Sequence, residues 1–249
     1  MSMPASVSAE ERPGGFRTGA VVLISLCHMI HDVYSSFLSP LLPLLIDKFS
    51  LSLTRAGFLG TMMQLPALFN PWIGVLADRV SVRWFIIFAP SMTAVPMCLL
   101  GVAPNYAVLL ILLFITGIST ALFHVPAPVM VARLSGLHTG RGMSFFMTGG
   151  ELARTVGPMA AVGAVSVLGL EHFYAVMVFG LLSSAWLFVR FKDVPIRSGD
   201  RRPVSLAGAW GEVRHVLRPL IAILFARGFM HAAIVTFLPT LIKHETGDL

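Results

Sequence analysis

Charge is scarce in this sequence of 249 residues: Asp, Glu, Lys and Arg together make up 12%, about half the share usual in a soluble domain. Hydrophobic residues reach 56% and the mean hydropathy is +0.82, so polar side chains cannot cover the surface, and a water-soluble globule is excluded. Cysteine is almost absent. Cys27 and Cys98 are the only two and each sits in an apolar stretch, which excludes a disulfide framework and a cysteine metal cluster. No Gly-rich phosphate loop of the Walker type occurs, so ATP-driven chemistry has no support and no cofactor is expected. The net charge of +6 is spread over short connections without interleaved aromatics, and nucleic acid is not an expected partner. Ser119 and His124 are five residues apart and would point from different helix faces, so they make no nucleophile and base pair. The sequence does not read as an enzyme.

What is present is a succession of apolar runs of membrane-spanning length, bounded by charges, Gly and Pro. They predict an all-α polytopic membrane protein with helices over about 19–46, 55–77, 84–102, 106–131, 143–168, 173–191 and 219–243. Residues 1–18 read as a cytoplasmic tail, 19–191 as a six-helix bundle, 192–218 as a hydrophilic cytoplasmic connection and 219–249 as the first helix of an incomplete second bundle. The tail carries Glu10, Glu11 and Arg12 before a Pro-Gly-Gly break, and the apolar run after it is too long for a cleaved signal. With the N-terminus inside, thirteen basic residues fall on the cytoplasmic side and only Lys48, Arg55 and Lys243 outside. That bias sets the orientation in an inner (plasma) membrane. The remaining two, Arg154 and Arg227, lie within predicted helices.

A weak internal repeat appears at an offset of 200 residues. His31, Phe37, Leu38 and Leu41 correspond to His231, Phe237, Leu238 and Leu241, with Ser36 opposite Thr236. Transporters often carry such matching halves, and the repeat suggests that the seventh helix opens a second half. On this reading the chain is a fragment whose mate is a missing C-terminal bundle or a second chain.

Ionisable residues inside a membrane are costly unless paired or hydrated, so each is a functional candidate. Asp32 lies about 12 residues into the first predicted helix, which at ~1.5 Å per residue is ~18 Å deep, near the midplane. His28 is four residues before it on the same face, and His31 is adjacent. These residues suit proton or substrate binding, and a permanent pair of Asp32 with Arg154 is the structural alternative. Glu151 and Arg154 are three apart and are able to satisfy each other, while Arg227 and His231 are four apart on the seventh helix. His124 precedes Pro126 and Pro128, whose missing N–H groups free carbonyls that need donors, so it reads either as a structural donor or as a site residue. His28 and His31 alone are a weak metal signal, and no metal site is assigned.

Between the second and third helices stands Gly74-Val75-Leu76-Ala77-Asp78-Arg79-Val80-Ser81-Val82-Arg83, which resembles the signature loop of the major facilitator superfamily. Gly74, Asp78, Arg79 and Arg83 match it, whereas Ser81 and Val82 depart where Gly and a basic residue are usual. In that family the loop is a conformational latch against the second half. Gly149, Gly150, Gly157 and Pro158 in the fifth helix are similar to the Gly-Pro motif of the family's proton-linked antiporters, and small residues there permit close helix packing. His28 to Tyr34, Phe123-His124 with Pro126, and Ala132-Arg133 through Gly149-Gly150 to Gly157-Pro158 resemble the fosmidomycin resistance branch of proton-linked efflux proteins. Val125, Glu151 and Arg154 depart from that branch. The resemblance implies two inverted three-helix repeats in the first bundle and secondary transport of a small solute by alternating access, with protons as coupling ion and the lipid bilayer as solvent. A nontransporting or half-transporter chain is the alternative.

Overall fold

The computed structural model describes residues 15–79, 83–191 and 206–247, and among these the regular structure is helical throughout. Helices α1 (Thr18–Ser35) and α2 (Leu38–Phe49) form the first long rod. Pro40 removes the donor that would bond the Ser36 carbonyl, and the rod loosens at Ser36 and Phe37. The second rod is α3 (Leu53–Gln64), a 3-10 turn over Leu65–Phe69, and α4 (Asn70–Arg79). Pro66 and Pro71 explain why this rod is not one continuous helix. Next come α5 (Arg83–Cys98), α6 (Tyr106–His124), α7 (Pro126–Ser135), α8 (Thr139–Leu168), α9 (Met177–Phe191) and α10 (Leu206–Thr246). Each predicted apolar run thus corresponds to a helical rod, although three rods break at proline. Of the connection expected over 192–218, residues 192–205 lie outside the described residues and α10 begins at Leu206, while its membrane-length stretch begins at Pro219.

Among the described residues, five stretches are long and apolar enough to cross a membrane: Thr18–Phe49, Arg83–Val102, Tyr106–Leu168, Phe173–Phe191 and Pro219–Thr246. The third, 63 residues long, far exceeds the ~20 residues one crossing needs. It is interrupted at Gly136–His138, after which α8 packs against α7. Large apolar side chains cover the outside, among them Trp72, Met159, Val167, Phe179, Val189 and Phe225. Such a surface is a liability in water and suits lipid or an apolar partner.

Inside, two apolar clusters occupy opposite ends of the bundle. One gathers Phe37 and, from α2, Leu41 and Leu45 with Leu59, Leu109, Leu113 and Phe173. The other joins Val21, Ile24 and Cys27 of α1 to Ile86, Ile87, Phe123, Phe146 and Phe191. His28, His31 and Asp32 belong to neither cluster and are buried on α1 between them. The helix carrying the charge is clamped above and below by apolar packing, which holds its polar turn in place. Helix α10 lies beside α2, where Ser39 donates to the Val235 carbonyl and Lys243 pairs with Asp47. Phe237 covers Gly57 of α3, where a β-carbon would stand 3.1 Å from its ring. Most of the other side chains of α10 described between Pro219 and Thr246 are exposed.

Candidate functional site

One carboxylate organises the polar centre. His28 Nε2 lies 3.1 Å from Asp32 Oδ2, His124 Nε2 lies 3.0 Å from Oδ1, and His31 Nε2 lies 3.9 Å from Oδ1. Helix periodicity puts His28 and Asp32 together on α1. His124 arrives from the last turn of α6, just before Pro126 breaks that rod. His28 and His31 are buried, whereas the His124 side chain is 36% exposed and forms the open side of the cluster.

The outer nitrogens are held by acceptors, and this decides where protons sit. His28 Nδ1 is 2.8 Å from the Phe146 carbonyl oxygen, which can only accept, so Nδ1 carries the hydrogen. In neutral His28 the lone pair of Nε2 then faces Asp32. His31 Nδ1 is 2.9 Å from Thr93 Oγ1 and 3.4 Å from the Ala89 carbonyl. Thr93 is 2.8 Å from Ser119 Oγ, and Ser119 donates to the same Ala89 carbonyl. If Ser119 donates to Ala89 and Thr93 to Ser119, the oxygen of Thr93 accepts Nδ1–H of His31. His31 Nε2 is then left as a lone pair; it is buried with no hydrogen-bond partner among the described residues. On that assignment the cluster has more acceptor atoms pointing inward than hydrogens to satisfy them. A cation is the chemical complement of such a site.

Packing of α8 against α1 depends on absent side chains. A β-carbon on Gly150 would stand 2.6 Å from His28 Cε1, one on Gly149 would overlap the Ser25 carbonyl, and one on Gly157 would overlap Ser36 Oγ. The Phe146 ring also stacks on His28 with centroids 4.0 Å apart. These glycines bring α8 close enough for its backbone to orient a histidine of α1.

The other sequence candidates lie elsewhere. Arg154 pairs with Glu151 at 3.0 Å, both side chains well exposed on α8, so the pair of Asp32 with Arg154 is not formed. Pro158 lies inside α8. Arg227 is exposed on α10, and the side chain of His231 lies outside the described residues. Gly74 is in α4 and Arg83 opens α5, with the Arg83 guanidinium 5.0 Å from the centroid of the Trp84 ring. The side chains of Asp78 and Arg79 lie outside the described residues, as do residues 80–82. Sequence reading missed Thr93, Ser119 and the Phe146 carbonyl as orienting groups. Hydroxyls within apolar spans were the available signal for the first two, and a backbone carbonyl leaves none.

Membrane-length helices packed around a largely buried cluster of three histidines and a carboxylate define a polytopic membrane protein with a polar site inside its bundle, an arrangement typical of solute transporters. The chain belongs to the Major Facilitator Superfamily, whose family model matches residues 24–247. It is 29% identical over 153 residues to the fosmidomycin resistance protein of Escherichia coli K12, covering 61% of this chain and 37% of that protein. It is 21% identical over 215 residues to the uncharacterised MFS-type transporter YfnC of Bacillus subtilis 168, covering 82% of this chain and 52% of that one. A second B. subtilis MFS-type transporter, YceJ, is 34% identical over 85 residues, 34% of this chain and 22% of that relative. The chain thus spans about half or less of the length of these relatives.

Proposed function

We propose that this chain forms the first bundle of a secondary transporter that exports a small solute in exchange for protons by alternating access. It would sit in the inner membrane with its N-terminus in the cytoplasm. One observation carries the reading: the buried Asp32 is shared by His28 and His124, while the outer nitrogen of His28 is already committed to Phe146. The contact between His28 Nε2 and Asp32 therefore needs a proton, supplied as imidazolium or as carboxylic acid. Protonation removes the bare charge from the apolar bundle, and loss of the proton restores it. Exposure of His124 gives that proton a way out.

The exposed ion pair of Glu151 with Arg154 and the largely uncovered faces of α8 and α10 favour a second bundle as the partner. That bundle is supplied within a longer polypeptide or by another chain, and the solute cavity lies between the two. Asp78, Arg79 and Arg83 act as the cytoplasmic latch in this reading, and His231 and Arg227 line the second side. The name of the E. coli relative makes fosmidomycin the first solute to test. In proteoliposomes containing the transporter with both bundles, an imposed pH gradient should drive fosmidomycin movement, and Asp32→Asn should abolish the gradient dependence. Unchanged proton-driven movement in Asp32→Asn would remove Asp32 from the coupling. No solute movement by the wild-type assembly would favour the nontransporting alternative.

A further inference from the structure

We propose that His28, Asp32 and His124 form a binding site for a divalent first-row transition metal of the zinc class, with His31, which lies outside that close-spaced trio, moving in as a fourth donor. The inference rests on the geometry of the cluster and stands whether or not the chain moves a solute. Ligand atoms of His28, Asp32 and His124 all lie within 4.8 Å of one another. A tetrahedral metal with bonds of about 2.0–2.1 Å keeps its donors ~3.3 Å apart. His28 Nε2 stands 3.1 Å from Asp32 Oδ2, and His124 and His31 Nε2 stand 3.0 and 3.9 Å from Oδ1, so each oxygen of the carboxylate has an imidazole nitrogen near the spacing a shared metal needs. The side chains close in around the ion, and His31 moves furthest because it lies outside the 4.8 Å group.

Orientation of the rings is an independent observation. A histidine that ligates a metal commonly donates its other N–H to a carbonyl or similar acceptor, which fixes the ring and turns the free lone pair to the metal. His28 does so to the Phe146 carbonyl, and His31 Nδ1 lies 2.9 Å from Thr93 Oγ1, which accepts from it when Thr93 donates to Ser119. A third observation is the unpartnered Nε2 of His31, wholly buried and directed at the cluster. A buried acceptor without a donor costs free energy, and a metal ion would satisfy it together with the lone pair of His28. Up to three imidazoles and one carboxylate select zinc, cobalt or nickel over magnesium and calcium, which favour oxygen ligands. Such an ion would tie α1 to the end of α6, with entry past the exposed His124.

The test uses the purified, metal-stripped full chain in detergent, with Zn2+ and Co2+ as probes. Dialysis should retain one equivalent of Zn2+ that excess Mg2+ does not displace, and bound Co2+ should show the intense visible absorption of a tetrahedral site. His28→Gln, His124→Gln and His31→Gln should each weaken Zn2+ by at least about 10-fold, and Thr93→Val, which keeps every ligand, by about 10–100-fold. His172→Gln on the outside of the bundle should have no effect. Retention that depends on His172, displacement by Mg2+, or an octahedral Co2+ spectrum would overturn the site. The Co2+ spectrum needs no variant, so a misfolded mutant does not leave the proposal undecided. Metal binding without proton-driven transport, or transport without metal binding, separates this inference from the transport reading.

Discussion

Gly150 leaves the space that the His28 ring fills. A β-carbon at residue 150 would stand 2.6 Å from His28 Cε1 and 3.0 Å from Nε2. The ring has little room to retreat, because Phe146 stacks on it and accepts its Nδ1–H. Gly150→Ala should therefore destabilise the bundle by about 1–3 kcal/mol, the usual cost of overpacking. Gly163 on the same helix has nothing within 4 Å of such a carbon, and Gly163→Ala should stabilise by about 0.5–1 kcal/mol. Thermal unfolding of the two variants in one detergent compares them directly. Equal behaviour would show that close approach at Gly150 does not hold the site.

Thr93 has no apolar role that valine would fail to fill, so its hydroxyl is the testable part. Thr93→Val leaves His31 Nδ1 with a longer bond to Ala89 and deprives Ser119 of its buried partner. A loss of about 1–3 kcal/mol is expected. Nitrogen NMR of labelled histidine should also show the His31 Nδ1 signal moving as its hydrogen bond weakens. A purely space-filling Thr93 would leave that spectrum unchanged.

Arg154 sits far out on α8 with Glu151, and their side chains are 59% and 61% exposed. Arg154→Gln should change stability by no more than about 1 kcal/mol, as for other exposed pairs, and leave the nitrogen signals of His28 and His124 in place. A shift of those signals would mean that Arg154 reaches Asp32 after all.

Orientation is testable at the two ends of the bundle. Arg17 donates its backbone N–H to the Leu134 carbonyl, so the start of α1 shares an end with the highly exposed Leu137. Ser50 is exposed beyond the end of α2. An impermeant maleimide should label Leu137→Cys from the cytoplasmic side only and Ser50→Cys from outside only. The native Cys27 and Cys98 are buried and should stay silent. The reverse pattern would invert the orientation drawn from Lys and Arg.

Local pattern revealed the rods because hydrophobic length is a property of consecutive residues, and it revealed His28 with Asp32 because four residues make about one helical turn. The prolines marked where rods break, although the sequence reading carried the first, second and fourth rods through them. Polarity marked Pro219, where the membrane-length stretch of α10 begins, and did not show that the helix itself starts at Leu206. Competing partners for Asp32 stayed open at that level: Arg154 was as available as any histidine.

Composition and hydrophobic period by themselves determined that this protein lives in lipid as a set of helices, and its motifs pointed to the major facilitator family. Only the tertiary structure decided that His124, 92 residues from Asp32, completes the site, that Arg154 does not, and that Phe146 and Thr93 aim the rings of His28 and His31. The reason is physical. Membrane insertion sums over consecutive residues, whereas a buried charge is satisfied by whichever donors close packing brings to it, and at this site that packing depends on what Gly149 and Gly150 lack.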